Sequence, residues 1–371
     1  TGGTGSDTID GGEGADVAVF AGLQGDYTFA SSEDGLTVTV TDRSTGDVDT
    51  VTNVETLSFD DGDIGVSHDG TGLVLTGQSA DNIEVVGSVG VTVLGEAGDD
   101  HLMGGDGNDT IDGGDGSDFI AGGDGADAIM GGAGSDTIDG GSGIDHIMGG
   151  AGSDTIDGGL GSDVLSGGEG DDTLLGEDGD DTLTGGLGND ILEGGDGADV
   201  AVFAGNKENY VFSVAADGTL TVTDTNTSQG VDTVSGVETL RFDDGDLSIA
   251  TSEDGHVTLT GSDADDAITI GEGISSGLRA EYYINTGSNG NFDAGTLYTT
   301  RTDANINFEQ MWDGALPSNS PGGNSNFAVR WTGFIKGPAD GQVNFYGRHD
   351  DGARLVIDGQ SIFNNWSNQG P

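Results

Sequence analysis

The stretch from Gly95 to Asp199 repeats every nine residues without an insertion, and the unit is Gly-Gly-x-Gly-x-Asp-x-apolar-x. Glycine permits the positive-φ backbone of a tight turn and lets another part of the chain approach closely. A single aliphatic between two variable residues indicates a very short strand whose middle side chain points inward. A flexible Gly/Asp linker would not keep an aliphatic at every ninth position, so the pattern predicts a folded repeat structure.

One such unit cannot bury its own aliphatic side chain, so successive units must stack. Two units per coil, with one strand on each side, give a parallel β-roll with two columns of aliphatics inside. Aspartates of equivalent turns then lie about 4.8 Å apart, and carboxylates at that spacing repel one another unless a cation lies between them. We therefore expect each aspartate to share a metal ion with its neighbour two repeats on.

The expected metal is Ca²⁺, because oxygen-only ligation in a chain with no cysteine and five scattered histidines favours calcium over zinc or copper. The predicted β-roll ligands are Asp7, Asp16, Asp100, Asp109, Asp118, Asp127, Asp136, Asp145, Asp154, Asp163, Asp172, Asp181, Asp190 and Asp199.

The repeat resembles the hemolysin-type calcium-binding nonapeptide of RTX proteins, a class of secreted bacterial proteins that includes adhesins. The resemblance implies export by type I secretion and an extracellular or cell-surface location. Extracellular calcium modules require roughly 10⁻⁴–10⁻³ M Ca²⁺, a concentration that the cytosol does not reach. Folding would then follow export.

The charge of the chain supports coupling between metal binding and folding. It carries 67 acidic and 9 basic residues, a formal charge of −58, and no lysine or arginine lies between Gly95 and Gly205. Protein cations cannot neutralise the array, so metal binding should drive its folding. Nucleic acid and anionic membranes are excluded as expected partners, because both need positive surface. No apolar run approaches the about 20 residues of a transmembrane helix.

A second kind of segment occurs twice. Val17–Ile64 and Val200–Leu247 align without a gap at a spacing of 183 residues, and both alternate apolar and polar residues between Gly/Asp turns. We predict small antiparallel β units that cap or space the rolls, with alanine (Ala18, Ala201) at the join. The acidic Phe-Asp-Asp-Gly-Asp turns of these units are expected to be solvated rather than metal-binding.

Composition changes after Gly277, where all three tryptophans and all four prolines lie. Three motifs there are Gly-Leu-Arg-Ala-Glu-Tyr-Tyr from Gly277, Val-Arg-Trp-Thr-Gly-Phe from Val329 and Asp-Asp-Gly-Ala-Arg-Leu-Val-Ile-Asp-Gly from Asp350. This segment resembles the anthrax protective-antigen-type β-sandwich, and breaks off before that family's final strands. The resemblance implies that Asp350 and Asp351 are calcium ligands at a sugar site, as in lectin-like members. A plain hairpin turn is the alternative.

The fold class expected is therefore all-β, a calcium-bound parallel β-roll (RTX solenoid) alternating with small antiparallel β units and followed by a β-sandwich. The expected domains are 1–16 (the end of a roll), 17–94 (a capping or spacer unit), 95–199 (the main roll), 200–276 (the second capping unit) and 277–371 (an incomplete sandwich). Residue 1 adjoins a repeat already under way, so we expect this sequence to be a fragment.

We do not expect an enzyme. The sequence has no His-Glu-x-x-His, and the Gly-x-Ser-x-Gly match at Gly273–Gly277 lies in a linker without the strand–turn–helix context that a nucleophile needs. The function expected is a calcium-folded segment of a large RTX adhesin that binds cell-surface or biofilm glycans. The alternatives are a calcium-stiffened, self-associating filament or surface layer, and the accessory region of a secreted enzyme or toxin.

Overall fold

The structure is a computed structural model that describes residues 2–68, 72–214, 219–225, 229–251, 257–261, 269–270, 278–284, 296–303, 327–332, 353–357 and 360–365. The chain divides into two compact units, Thr1–Gly271 and Glu272–Pro371. The described residues form strands with only two one-turn 3-10 helices, Gln24–Asp26 and Lys207–Asn209. None of the described helices is long and apolar enough to cross a membrane. The all-β prediction is confirmed.

The nonapeptide repeats form a parallel β-roll, as predicted. Each repeat supplies one strand, and strands pair with the strand two repeats on, for example Ile129 with Ile147 and Ile120 with Ile138. The aliphatic of each strand is at most 3% exposed, while its two neighbours in sequence point outward. The roll strands are β11 (His101–Asp106), β12 (Thr110–Asp115), β13 (Phe119–Asp124), β14 (Ala128–Ala133), β15 (Thr137–Ser142), β16 (His146–Ala151), β17 (Thr155–Asp157), β18 (Val164–Glu169), β19 (Thr173–Asp178), β20 (Thr182–Leu187) and β21 (Ile191–Asp196).

The first antiparallel unit follows a short piece of roll. Its strands are β1 (Thr8–Asp10), β2 (Val17–Val19), β3 (Tyr27–Ser31), β4 (Val38–Asp42), β5 (Val48–Thr52), β6 (Thr56–Ser58), β7 (Asp63–His68) and β8 (Leu73–Thr76). Strand β1 pairs in parallel with β5, and the sheet continues through antiparallel β4 and β3. Strand β2 pairs in parallel with β6, and that sheet continues through antiparallel β7 and β8.

Parallel pairing resumes before the first full repeat. Strand β8 pairs in parallel with β10 (Thr92–Leu94), and β9 (Asn82–Glu84) pairs in parallel with β11. These residues lie in the segment 17–94 that the sequence analysis assigned to the capping unit. One 14-stranded sheet runs from β2 through the roll to the second unit, so the antiparallel unit is inserted into the solenoid and leaves its sheet continuous.

The second antiparallel unit repeats the first. Its strands are β22 (Val200–Val202), β23 (Tyr210–Val214), β24 (Leu220–Asp224), β25 (Val231–Ser235), β26 (Thr239–Phe242), β27 (Gly245–Thr251), β28 (Val257–Gly261) and β29 (Thr269–Ile270). Strand β21 pairs in parallel with β25, and β22 with β26, before both sheets turn antiparallel. The alanines of the two joins, Ala18 and Ala201, are fully buried.

The second compact unit contains strands only among its described residues. Strand β30 pairs antiparallel with both β31 and β32, and β33 pairs antiparallel with β34. The strands are β30 (Leu278–Ile284), β31 (Thr296–Asp303), β32 (Phe327–Thr332), β33 (Ala353–Ile357) and β34 (Gln360–Asn365).

Candidate metal centres in the β-roll

The predicted aspartates form two ladders, one along each edge of the roll. From Asp100 to Asp181, the backbone N–H of each of these aspartates donates to Oδ1 of the aspartate 18 residues on, for example Asp127 to Asp145 at 2.8 Å and Asp136 to Asp154 at 2.9 Å. Every aspartate from Asp100 to Asp199 in this series is at most 3% exposed. The structure thus brings together the side chains that the repeat pattern predicted.

The second oxygen of each of these carboxylates is buried and has no hydrogen-bond partner. This holds for Oδ2 of all fourteen predicted roll aspartates, including Asp7 and Asp16 of the short first roll. A buried, unpaired carboxylate oxygen is costly, because it has lost its water and gained nothing in return. The regular recurrence of this oxygen along the ladder indicates a ligand that the protein itself does not supply.

Backbone carbonyls converge on the same places because the repeat keeps glycine at its first position. A Cβ on Gly113 would lie 2.4 Å from Asp118 Oδ2 and 2.5 Å from Gly131 O. A Cβ on Gly122 would likewise lie 2.4 Å from Asp127 Oδ2 and 2.6 Å from Gly140 O. The missing side chain therefore leaves a hollow in which a carboxylate and a carbonyl oxygen face each other.

The electrostatics of the two ladders point to the same ligand. Burial raises the pKa of Asp127 to about 7 and the pKa values of Asp136 and Asp163 to about 6. The charges of the aspartates above and below in the ladder raise them further. A bound cation would reverse both effects, because it compensates the buried charge and separates like charges.

The donor set fits calcium. Within the described residues no three side chains of His, Cys, Asp or Glu come together, so side chains alone form no metal centre. Backbone carbonyls, together with water, would supply the remaining ligands at each hollow, and such oxygens are the hard ligands that Ca²⁺ takes in sets of six to eight. Bound there, the ion would supply positive charge between successive coils, while the turn glycines leave room for it.

The sequence analysis missed the acidic residues that end the ladders. Asp190 N donates to Asp232 Oδ1 at 3.0 Å, and Asp199 N donates to Glu238 Oε2 at 2.9 Å. In the first unit Asp7 N and Asp16 N donate in the same way to Asp49 and Glu55, both at 2.8 Å.

These acids stand in Asp-Thr-Val and Glu-Thr-Leu triplets, whose last residues Val51, Leu57, Val234 and Leu240 are at most 2% exposed. The triplets are the Asp-x-apolar core of a repeat. That likeness was the available signal, but the acid-to-acid spacings across the join are 42 and 39 residues instead of 18.

The ladder begins differently. Asp81 N donates to Asp100 Oδ1, but both oxygens of Asp81 already have donors: Gln24 Nε2 lies 2.6 Å from Oδ1, and the N–H groups of Gln78 and Ser79 contact Oδ2. On the other edge Val91 takes the aspartate position, and its N–H donates to Asp109 Oδ1 at 2.8 Å.

Other predicted residues have different surroundings. The acidic turns make hydrogen bonds within their units: Asp61 accepts from Gln24 N, and Asp244 accepts from Lys207 N. Asp350 and Asp351 lie outside the described residues, so their assignment stays a prediction.

Comparisons with known proteins agree with this architecture. The model of the RTX calcium-binding nonapeptide repeat matches four times, over residues 1–20, 94–129, 130–165 and 166–201. The PA14 domain model matches residues 275–371. RTX nonapeptide repeats bind calcium, and PA14 domains are β-sandwiches of a carbohydrate-binding type. The chain therefore carries calcium-binding RTX repeats and a PA14 domain.

Two individual proteins are similar to parts of the chain. The anti-sigma-I factor RsgI3 of Acetivibrio thermocellus is 35% identical over 101 residues, which are 27% of this chain and 14% of that protein. An extracellular lipase, LipA from Serratia marcescens, aligns with 63% of this chain and 32% of its own at 19% identity, with a TM-score of 0.17. The chain thus spans a small part of either protein, and an alignment at that score carries no structural conclusion.

Proposed function

We propose that this chain is a calcium-folded segment of a large extracellular RTX adhesin, in which the PA14 domain binds glycans on a cell surface or in a biofilm matrix. The observation that supports it is the double ladder of buried, unpartnered aspartate oxygens in a segment without lysine or arginine. A bound cation stabilises such a ladder at neutral pH by compensating its buried charge. Export by type I secretion would deliver the chain to millimolar calcium, where the roll folds.

The adhesin proposal is tested by glycan binding of the full chain. We expect binding to a glycan array in calcium, loss of binding in a chelator, and loss in Asp351→Ala even with calcium present. Asp145→Ala in the roll is the matched control, because it removes a roll ligand and leaves the PA14 domain unchanged. A folded PA14 domain that binds no glycan with calcium would contradict the proposal.

A calcium-stiffened stalk or filament is the second candidate. It is supported by the sheet that runs without interruption from β2, through the first unit and the roll, into the second unit. Such a sheet would carry load along the solenoid axis through its backbone hydrogen bonds, which are parallel in the roll and antiparallel in the units. Calcium-dependent polymers seen by electron microscopy, without glycan binding, would favour this candidate over the adhesin.

A further inference from the structure

We propose that the calcium array extends past the repeats into each antiparallel unit, where a contracted coil completes one more site. At the end of the main roll this site consists of Asp199, the carbonyl of Gly236 and Glu238, and in the first unit of Asp16, the carbonyl of Asn53 and Glu55. The proposal rests on the calcium function of the interior ladder and adds residues that lie outside the nonapeptide pattern.

The hollow at the last repeat has the same oxygens as an interior one. Inside the roll, a Cβ on Gly176 would lie 2.4 Å from Gly194 O and 2.5 Å from Asp181 Oδ2. At the end, a Cβ on Gly194 would lie 2.1 Å from Gly236 O and 2.6 Å from Asp199 Oδ2. The contracted coil thus places a carbonyl where the next repeat would have placed its own.

The carboxylate of Glu238 takes over the acceptor role of the next ladder aspartate, although Glu238 is exposed and the ladder aspartates are buried. It accepts from Asp199 N at 2.9 Å, just as Asp199 accepts from Asp181 N at 2.8 Å. Thr239 N donates to Asp199 O at 3.0 Å, as Thr182 N donates to Asp163 O inside the roll. The longer glutamate side chain reaches this position although the coil is contracted.

Asp199 is an independent sign that a ligand binds at this end of the roll. Its side chain is completely buried, and its Oδ2 has no hydrogen-bond partner. The unpaired Asp199 Oδ2 therefore lies close to the Gly236 carbonyl oxygen at this hollow, and the Glu238 carboxylate accepts from the backbone of the same aspartate. This is the same demand for a cation that recurs along the interior ladder.

The first unit has the same carbonyl contact and the same glutamate acceptor, with a different residue at the carbonyl position. A Cβ on Gly11 would lie 2.0 Å from Asn53 O, and Asp16 N donates to Glu55 Oε2 at 2.8 Å. Asn53 has φ +52°, and Gly236 has φ +62°. The left-handed backbone is kept in Asn53 even without glycine, so the direction of this carbonyl is maintained in both units.

The test counts calcium ions per chain by native mass spectrometry of the full chain in saturating calcium. Glu238→Gln keeps an acceptor for Asp199 N and removes only the charge, so the fold should persist. We expect it to hold one ion fewer than the wild type, and Glu55→Gln combined with Glu238→Gln to hold two fewer. Asp81→Asn, at the closed end of the ladder, is the matched control and should lose none.

Asp145→Asn separates this inference from the function on which it rests. Suppose that the wild type binds calcium and that Asp145→Asn loses at least one ion. If Glu238→Gln and the double variant then keep the full number of ions, the proposal of end sites is wrong and the proposal of a calcium-binding roll stands. If the wild type binds none, both fail. Should Glu238→Gln lose its circular dichroism signal, Glu55→Gln alone decides, and an unchanged ion count in it overturns the proposal.

Discussion

The main roll shares both of its sheets with the second antiparallel unit and one sheet with the first, but the roll and the units are stabilised by different interactions. In the second unit, the Phe242 ring packs against three other aromatic rings. The distances between ring centroids are 5.4 Å to Phe203, 5.1 Å to Tyr210 and 6.0 Å to Phe212. Tyr210 also donates its hydroxyl to Ala204 O at 2.6 Å. Each roll strand instead buries a single aliphatic and, beside it, an uncompensated carboxylate.

The difference teaches where calcium acts. Each added coil of the roll contributes two buried carboxylates that repel their neighbours, which offsets the stabilisation from its two buried aliphatics. The aromatic clusters of the antiparallel units are apolar and bury their rings without a metal. We therefore expect calcium to control the roll directly and the antiparallel units only through the strands that they share with it.

The largest expected effect comes from filling a turn in the roll. A Cβ on Gly143 (φ +142°) would lie 1.4 Å from the carbonyl oxygen of Gly125, a backbone atom that cannot move away without breaking the coil. We expect Gly143→Ala to cost on the order of 4 kcal/mol or more. Gly46→Ala is the control: Gly46 has φ +77° and open space around it, so only about 1–2 kcal/mol is expected. Urea unfolding in calcium measures both, and equal costs would contradict the close stacking of the turns.

The next effect tests the aromatic cluster of the first unit. Phe59 is 7% exposed and packs on Phe20, Tyr27 and Phe29. Phe59→Ala should destabilise this unit by about 3–5 kcal/mol, both with calcium and in a chelator, because its packing involves no metal. Val48→Ala, at a half-exposed position, should cost little. A Phe59→Ala cost that appears only in calcium would show that the unit depends on metal as the roll does.

The stability of the roll should depend on pH in opposite directions with and without calcium. The metal-free folded roll holds protons on Asp127 up to about pH 7 and on Asp136 to about pH 6, whereas an unfolded carboxyl has a pKa of about 3.9. The folded state then binds more protons than the unfolded state, so stability falls as pH rises from about 4 to 7. We expect the calcium-stripped roll to be more stable at pH 5 than at pH 8, and calcium affinity to weaken at pH 5. Asp127→Asn should reduce the first slope, and a stripped roll that gains stability with rising pH would refute the assignment.

The smallest effect concerns a repeat position at which this sequence has glutamate instead of the usual glycine. Glu177 occupies the second position of its repeat with φ +68°, a region that costs a non-glycine residue about 1–2 kcal/mol. Glu177→Gly should therefore raise the midpoint of thermal unfolding in calcium. Glu193→Gly, at an exposed position inside strand β21, should lower it by the ordinary cost of glycine in a strand. A Glu177→Gly variant less stable than wild type would show that the acidic side chain outweighs the strained backbone.

The sequence was sufficient for the periodic part of the molecule. Aspartate and an aliphatic recur at fixed spacing, and that period alone placed Asp100 to Asp199 in ladders and their aliphatics in the core. The ladder ends were missed because Val234 and Leu240 are six residues apart instead of nine, with glutamate in place of aspartate. Val91 was missed for a related reason, since an apolar residue at an aspartate position carries no pattern. The pairing of these ends depends on tertiary contacts with Gln24 and the antiparallel strands.

The most direct measurement of the central claim is hydrogen–deuterium exchange of the full chain, with calcium and after calcium is stripped. The peptides to follow are the roll strands from His101 to Asp196 and the strands β23 and β24 of the second unit. We expect roll amides, including those of Asp127 and Asp136, to be protected in calcium and to exchange freely without it, while β23 and β24 lose less protection. Roll amides that remain equally protected without calcium would contradict the claim that the metal folds the roll.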